Sequence, residues 1–295
     1  MTNCVRCGRP ISDSSYAATS NLCPECRQAF AGAARPVPVA QPSIATTRPT
    51  PYRPPVMVVI VGINILVFAA MIVSGVSPMN PTEAQLLRFG ADFGPYTLGG
   101  QLWRILTSNY VHVGLFHILF NMWCLWNLGR LAERILGAWT YVLTYTACGI
   151  AGSLASLWIH PGAVGAGASG AIFGLAGALI TALYLGKLPY PRQMLSGLLR
   201  SLLSFAGYNL FFGAVVPGID NSAHIGGLIV GLAIGALLAS QLNEAPEKRR
   251  AHERLMFTIV ALFLIGFGVF VKKQSGWVVE KYRQLNSSGQ ETREP

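Results

Sequence analysis

The sequence predicts an all-α polytopic membrane protein, with a six-helix core, a seventh transmembrane helix and a small N-terminal zinc ribbon. Three observations support this fold class. Hydrophobic residues make up 52% of the 295 residues and charged residues only 12%, whereas soluble domains contain ~25% charged residues. Seven apolar runs are each close to the ~20 residues that cross a bilayer. Two Cys-x2-Cys pairs lie near the N-terminus.

Residues 1–33 carry the two cysteine pairs, which are separated by fifteen residues. This spacing is typical of a structural Zn²⁺ site, in which each of the four thiolates is one ligand. The predicted ligands are Cys4, Cys7, Cys23 and Cys26. Two disulfides or free thiols are the alternatives, but disulfides are rare in the cytosol, where we expect this end of the chain. A region this small has almost no core and would need metal to fold.

The apolar runs are the predicted membrane spans. Six of them form a core at 56–242, which follows a Pro-rich extended linker predicted at 34–55. The last region, 243–295, is predicted to contain a cytosolic loop, the seventh transmembrane helix and a polar C-terminal tail. The predicted spans are 56–76, 114–132, 139–159, 169–187, 196–216, 222–242 and 255–271.

The distribution of Lys and Arg predicts the orientation in the membrane. With the N-terminus inside, fifteen of the 22 basic residues lie on the inner side and seven on the outer side, in line with the positive-inside rule. Lys272 and Lys273, directly after the seventh run, are the exception. The net charge of +10 does not indicate nucleic-acid binding, because most basic residues lie in loops between apolar runs. The first 30 residues lack an apolar core, so we expect no secretory signal peptide.

Polar side chains inside the apolar runs indicate the functional site, because ionisable and amide groups are costly in a bilayer. His112, His117 and Asn121 lie at the start of the second run, Ser169 at the start of the fourth and His224 at the start of the sixth. These three runs cross the membrane in the same direction. We therefore expect the polar groups at one depth, slightly below the outer surface.

Stripes of small residues are expected to bring the fourth and sixth runs into contact. Residues at intervals of four let membrane helices approach closely when they are Gly or Ala. The stripes are Gly170, Gly174, Ala178 and Ala182, and Ala223, Gly227, Gly231, Gly235 and Ala239. This packing would join Ser169 to His224. Leu238 is expected on the lipid-facing side of the sixth run.

Ser169 and His224 would then form a dyad for acyl transfer. A serine hydroxyl is a poor nucleophile until a base takes its proton, and a neutral histidine within ~3 Å can do so. The candidate donors to the oxyanion are the side chains of His117 and Asn121 and the backbone N–H of Ser169. Asp220 lies in the preceding loop, so no acidic residue is obviously placed to orient His224.

Other interpretations of these residues remain open. Ser169 could be a helix N-cap in a small-residue loop. His112, His117 and His224 could bind a metal, although Asp220 is the only carboxylate nearby. A histidine in a membrane helix is often a hydrogen-bonded packing residue, and this applies best to His112.

Several short motifs in the 56–242 region belong together. They are Trp103-Arg104, His112-x4-His117-x3-Asn121, Glu133-Arg134, Gly167-Ala168-Ser169-Gly170 and Ala223-His224-x2-Gly227. In this combination the chain resembles the rhomboid family of intramembrane serine proteases. The Cys4 module and the seventh span lie outside the family's common core. The whole looks like a bacterial rhomboid joined to a zinc ribbon.

The resemblance implies roles for residues of this sequence that match the motifs. Ser169 would be the nucleophile and His224 the general base. His117, Asn121 and the Ser169 N–H would line the oxyanion hole, and Gly167 would shape the loop beside it.

Two further residues would support the site. His112 would be structural, and Phe173, at a position where Tyr is commoner, would pack on the catalytic histidine.

The resemblance implies single-span membrane proteins as substrates, cleaved near the outer boundary of the bilayer, with no cofactor for catalysis and no nucleic-acid partner. We expect an inner (plasma) membrane protein, with the cytoplasmic N-terminus that the distribution of Lys and Arg predicts. The alternative is a catalytically silent rhomboid-like protein that binds membrane helices.

Overall fold

The computed structural model describes residues 3–11, 21–33, 55–242, 244 and 246–291. The chain divides into two units, Met1–Tyr52 and Arg53–Pro295. The Pro-rich linker predicted at 34–55 lies outside the described residues, except for Pro55.

In the N-terminal unit, the described residues form a turn at residues 5–7 and helix α1 (Pro24–Ala33). An isolated β-bridge pairs Asn3 with Pro10, and the N–H of Gly8 donates to the carbonyl of Cys4 at 2.9 Å. Gly8 closes this turn with a φ of +73°, a conformation that glycine adopts without steric cost. The buried apolar residues among those described here are Cys4, Ile11 and Cys23.

The second unit is a bundle of helices with one short two-stranded sheet. Its described elements, in chain order, are α2 (Pro55–Val73), α3 (Glu83–Arg88), β1 (Asp92–Phe93), α4 (Gly94–Thr97), α5 (Arg104–Thr107), a 3₁₀ turn (Ser108–Tyr110), α6 (Leu115–Leu136), α7 (Ala138–Ile159), β2 (Val164–Gly165), α8 (Ser169–Leu185), α9 (Arg192–Val215), α10 (Asn221–Ala239), α11 (Pro246–Ser275) and α12 (Trp277–Glu291). Each predicted span coincides with one of the long helices, and the seventh lies inside the longer α11. The all-α polytopic fold class is therefore confirmed.

The long helices differ in how they could cross a bilayer. Five of those described, α2, α7, α9, α10 and α11, are long and apolar enough to do so. A sixth span is possible if α6 is joined to the segment Arg104–Tyr110, from which it is bent by 91°. Helix α8 has 17 residues and is ~25 Å long, which is shorter than the ~30 Å hydrocarbon core. Helix α8 is therefore too short to cross the hydrocarbon core from one side to the other.

Helix α8 lies at the centre of the bundle, between α7 and α10. A Cβ on Gly231 would overlap the carbonyl oxygen of Gly174, and a Cβ on Gly227 would overlap that of Gly170. On the other side, a Cβ on Gly174 would overlap Cys148 of α7. The predicted contact between the two small-residue stripes is confirmed, because only residues without a side chain fit at this backbone separation.

The expectation for Leu238 was wrong. Leu238 is 1% exposed, whereas its neighbour Leu237 is 55% exposed. Leu238 lies three residues after Gly235, so it shares the face of α10 that packs on α8. The lipid-facing side of α10 instead carries Ile225, Ile229 and Leu237.

Two buried charged side chains of the family-like motifs brace the bundle. Glu133 of α6 accepts hydrogen bonds from the N–H groups of Val56 (3.2 Å) and Met57 (2.7 Å), so its carboxylate caps the start of α2. Arg104 donates from Nη1 to the carbonyls of Leu87 (2.7 Å) and Ala91 (2.9 Å), and so closes the loop after α3.

The small sheet ties two loops together at the end of the bundle where α8 begins. Strands β1 and β2 are antiparallel, with Asp92 opposite Gly165 and Phe93 opposite Val164. The N–H of Gly94 also donates to the carbonyl of Pro161 at 3.0 Å. The loop that leads into Ser169 is therefore held by the segment that precedes α4.

Candidate active site

Ser169 is the first residue of α8, and its side chain is half-buried. The N-cap position belongs to Ala168, so the alternative in which Ser169 is the N-cap is wrong. Gly167, two residues before Ser169, has a φ of +132°, and a Cβ there would lie 2.6 Å from Cε1 of His117. The N–H of Gly167 donates to the carbonyl of Ser108 at 2.9 Å. Gly167 thus lets the loop pass close to the His117 ring.

His224 lies in the first turn of α10 and faces Ser169. Its Nε2 is 2.9 Å from Oγ of Ser169, which is hydrogen-bond distance. The ring of Phe173 stacks on the His224 ring, with centroids 4.3 Å apart and planes 13° from parallel. Because Phe173 is one turn after Ser169 on α8, the same helix supplies both the hydroxyl and the surface on which the imidazole rests.

The other ring nitrogen of His224 faces a residue that the sequence analysis missed. Nδ1 lies 3.3 Å from Oδ1 of Asn221, and the Asn221 amide donates from Nδ2 to the carbonyl of Leu210 at 2.9 Å. The available signal was the spacing, because residues i and i+3 share one helix face. Asp220 has a different role: it caps α10 by accepting from the N–H groups of Ser222 (3.0 Å) and Ala223 (3.3 Å).

His117 and Asn121 lie one turn apart on α6 and line the same cavity as Ser169. The N–H of Val113 donates to Nδ1 of His117 at 3.3 Å, so a neutral His117 ring carries its proton on Nε2. The Asn121 amide donates from Nδ2 to the carbonyl of His117 at 2.9 Å, which uses one of its two N–H groups. Each residue therefore has an N–H left to offer within the cavity.

His112 is fully buried behind His117, with ring centroids 5.2 Å apart. Its Nδ1 is 3.3 Å from the carbonyl of Tyr110. His112 does not line the cavity. This position fits the packing role that was expected for it.

A cavity of about 470 Å³ contains these groups. Asp92 of β1 also lines it and was not predicted from the sequence. Its Oδ1 accepts from the hydroxyl of Thr97 at 2.5 Å, and its buried Oδ2 has no partner among the described residues. Burial raises the pKa of Asp92 from 3.8 to about 7, despite the hydrogen bond from Thr97. Only the fold could reveal this carboxyl, because Asp92 lies in a loop in the sequence.

The four predicted zinc ligands come together in the N-terminal unit. Their sulfur atoms all lie within 4.8 Å of one another, and Sγ of Cys7 is 3.7 Å from Sγ of Cys23. Tetrahedral coordination with Zn–S bonds of ~2.3 Å would place the sulfurs ~3.8 Å apart, so the cluster fits zinc. The N–H of Cys23 donates to Sγ of Cys4 at 3.2 Å and lowers the pKa of that thiol to about 6, which favours the thiolate form.

Residues 99–241 match the family model of the Rhomboid domain. The chain is 35% identical over 212 residues to Rhomboid protease GluP of Bacillus subtilis (strain 168), covering 72% of this chain and 40% of that protein. It is 30% identical over 187 residues to RHOMBOID-like protein 4 of Arabidopsis thaliana, covering 60% and 47%. It is 30% identical over 231 residues to Rhomboid protease AarA of Providencia stuartii, covering 71% and 79%. The chain thus spans less than half the length of the first two relatives.

Proposed function

This chain belongs to the rhomboid family, and on that premise we propose that it is an intramembrane serine endopeptidase. Its proposed substrates are single-span membrane proteins, cut within their transmembrane segments near the outer boundary of the bilayer. The observation that carries the proposal is the 2.9 Å contact between Nε2 of His224 and Oγ of Ser169, inside a cavity of a multi-pass membrane protein.

In the first half of the reaction, Oγ of Ser169 attacks the carbonyl carbon of the scissile peptide bond. His224 takes the hydroxyl proton on Nε2 as the new C–O bond forms. The negative charge on the carbonyl oxygen is held by the Ser169 N–H and by the free N–H groups of His117 and Asn121. His224 then gives its proton to the leaving amine, and the C–N bond breaks to leave an acyl-enzyme.

In the second half, water hydrolyses the acyl-enzyme. His224 takes a proton from the water as its oxygen attacks the ester carbon, and the oxyanion forms again in the same place. The C–O bond to Ser169 then breaks, and His224 returns the proton to Oγ. The new carboxyl end leaves the cavity, and the dyad regains its first state.

The start of α8 supports chemistry below the membrane surface. Because α8 is ~25 Å long against a ~30 Å hydrocarbon core, Ser169 at its end can lie several ångströms inside the bilayer while the cavity supplies polar groups around it. We place this end at the outer side of the inner (plasma) membrane, and the N-terminus in the cytoplasm, from the excess of Lys and Arg on the opposite side.

For the N-terminal unit we propose one structural zinc ion. Cys4, Cys7, Cys23 and Cys26 would hold it as thiolates, and it would add stability to the three buried apolar residues described there. The ion takes no part in the proposed peptide hydrolysis.

A serine-reactive fluorophosphonate tests the proposed activity directly. The purified protein should be labelled at Ser169, and Ser169→Ala should abolish both labelling and cleavage of a single-span test substrate. His224→Ala should lose both activities while expressing normally. If the wild-type protein shows no labelling and no cleavage, the result would instead support a silent protein that binds membrane helices.

A further inference from the structure

The imidazole of His224 must present one particular nitrogen to Ser169. The stack on Phe173 holds the plane of the ring, at 13° to the phenyl plane, but a flat surface does not select which edge of the ring points at the hydroxyl. A neutral imidazole can also carry its proton on either nitrogen. Two features of the base, its rotation and its tautomer, are thus left open by the residues considered so far.

The hydrogen bonds of Asn221 decide both features. The carbonyl of Leu210 can only accept, so the Asn221 amide must turn its NH₂ group toward it, at 2.9 Å. Oδ1 of Asn221 then faces Nδ1 of His224 at 3.3 Å. An oxygen that only accepts requires a donor, so the proton of the imidazole is on Nδ1. Nε2 is left with its lone pair directed at Oγ of Ser169.

The neighbouring helix α9 leaves room for this amide at one residue. A Cβ on Gly213 would overlap Oδ1 of Asn221 and would lie 2.7 Å from its Cγ. Gly213 is one turn after Leu210, so the same face of α9 supplies both the acceptor and the space. Gly207 of the same helix offers a contrast, because a Cβ there would meet nothing within 4 Å.

Resting on the proposed function of the dyad, we propose that Asn221 is its positioning residue. Its Oδ1 holds His224 as the Nδ1–H tautomer with Nε2 toward Ser169, and Leu210 and Gly213 of α9 hold the Asn221 amide in that orientation. The neutral amide takes the orienting position that a carboxylate occupies in a Ser-His-Asp triad.

Asn221→Ala tests the role in turnover. The variant should lower kcat for a single-span test substrate by about 10–100-fold, the size seen when the outer hydrogen-bond partner of a metal-binding histidine is removed, with KM little changed. An unchanged kcat would overturn the proposal, and so would a loss confined to KM, because the residue would then act in substrate binding.

Gly213→Ala and Gly207→Ala form a matched pair that leaves Asn221 itself intact. Gly207→Ala should unfold at or above the wild-type temperature, because alanine favours helix over glycine. In Gly213→Ala the overlap with Asn221 offsets part of that gain. Only Gly213→Ala should lose kcat, by an amount close to that of Asn221→Ala. Equal activities of the two variants would contradict the proposal.

The tautomer of His224 can be determined without measuring the cleavage activity. Nitrogen-15 NMR of the protein labelled at its five histidines, with His224→Asn used to assign the signal, should show the Nδ1–H form of His224 in the wild type. In Asn221→Ala this form should no longer be selected. An Nε2–H form in the wild type would overturn the proposal even if the enzyme is active. Conversely, an Nδ1–H form in a protein that neither labels nor cleaves would reject the proposed function while leaving the geometry intact.

Discussion

Asn121 and Asn127 lie on the same helix and make the same local hydrogen bond, from Nδ2 to the carbonyl four residues earlier, at 2.9 and 2.7 Å. They differ in their surroundings, because Asn121 is buried in the cavity with Ser169 and Asn127 is exposed. A role in catalysis can therefore be separated from a role in the helix by comparing the two positions.

Asn121→Ala should lower kcat by about 10²–10³-fold, the usual effect of removing one donor to an oxyanion. KM should change little, because the donor acts on charge that develops only in the transition state. The measurement is the cleavage rate over a range of substrate concentrations. Asn127→Ala is the control and should retain wild-type kinetics; a similar loss in both variants would point to the helix and not to the oxyanion.

Asp92 couples the stability of the active-site loops to pH. Its carboxyl stays protonated in the folded protein up to about pH 7, whereas in the unfolded chain it ionises above about pH 4. The folded state therefore binds one more proton between these values. This contribution to stability is complete below pH 4 and is lost as the pH rises through 7.

Relative to Asp92→Asn, the thermal unfolding temperature of the wild type in detergent should consequently fall by several degrees between pH 4.5 and 7.5, since ~1 kcal/mol corresponds to about 2–4 °C for a protein of this size. Asp92→Asn cannot ionise and should remove that part of the pH dependence. Glu83→Gln changes an exposed carboxyl of the same unit and should keep the wild-type slope. If Asp92→Asn and the wild type show the same slope, Asp92 does not titrate as described.

Helices α8 and α10 bring Ser169 and His224 together by the closeness of their backbones. The hydroxyl of Thr181 in α8 donates to the carbonyl of Leu232 in α10 at 2.8 Å. Four glycines of the two stripes leave no space for a Cβ, namely Gly174, Gly227, Gly231 and Gly235. The distance between Ser169 and His224 is therefore set by residues up to about three turns away that contact neither side chain.

Gly231→Leu should separate the two helices and reduce cleavage by about 10²-fold or more, because ~1 Å of misplacement can cost that much in catalysis. The variant should also unfold at a lower temperature. Gly266→Leu of α11 is the matched control, since a Cβ at Gly266 would meet nothing within 4 Å. Near-native activity and stability of Gly231→Leu would show that the two helices tolerate a larger separation.

The two units of the chain have separate sources of stability. The described part of Met1–Tyr52 has three buried apolar residues and four clustered thiols, whereas Arg53–Pro295 has an extensive apolar core. Loss of metal should therefore affect the first unit and leave the proposed active site intact.

Elemental analysis of the purified protein should find one zinc per chain. Replacing Cys4 and Cys7 by Ser should remove it, because two of four ligands are lost, while Cys124→Ser in α6 should retain it. A protein without residues 1–33 should still cleave the test substrate in detergent. Wild-type protein free of zinc would refute the metal site, and an inactive truncated protein would refute the independence of the second unit.

Much of this architecture follows from local patterns in the sequence. The positions of the seven long helices are predictable because an apolar run of ~20 residues is a signal contained within one segment. The contact between α8 and α10 is predictable because small residues at intervals of four form one face on which two membrane helices can approach closely. Ser169, His117, Asn121 and His224 are recognisable as polar groups in apolar surroundings, where each is costly.

Other features depend on how the helices pack. In a bilayer, lipid and protein core are both apolar, so hydrophobicity does not reveal which face of a helix is buried. For this reason Leu238 was placed on the wrong side of α10. Asn221 could not be recognised as the partner of His224, because its orientation depends on Leu210 and Gly213 of another helix. The buried carboxyl of Asp92 likewise depends on the pairing of β1 with β2, which brings together loops more than 60 residues apart.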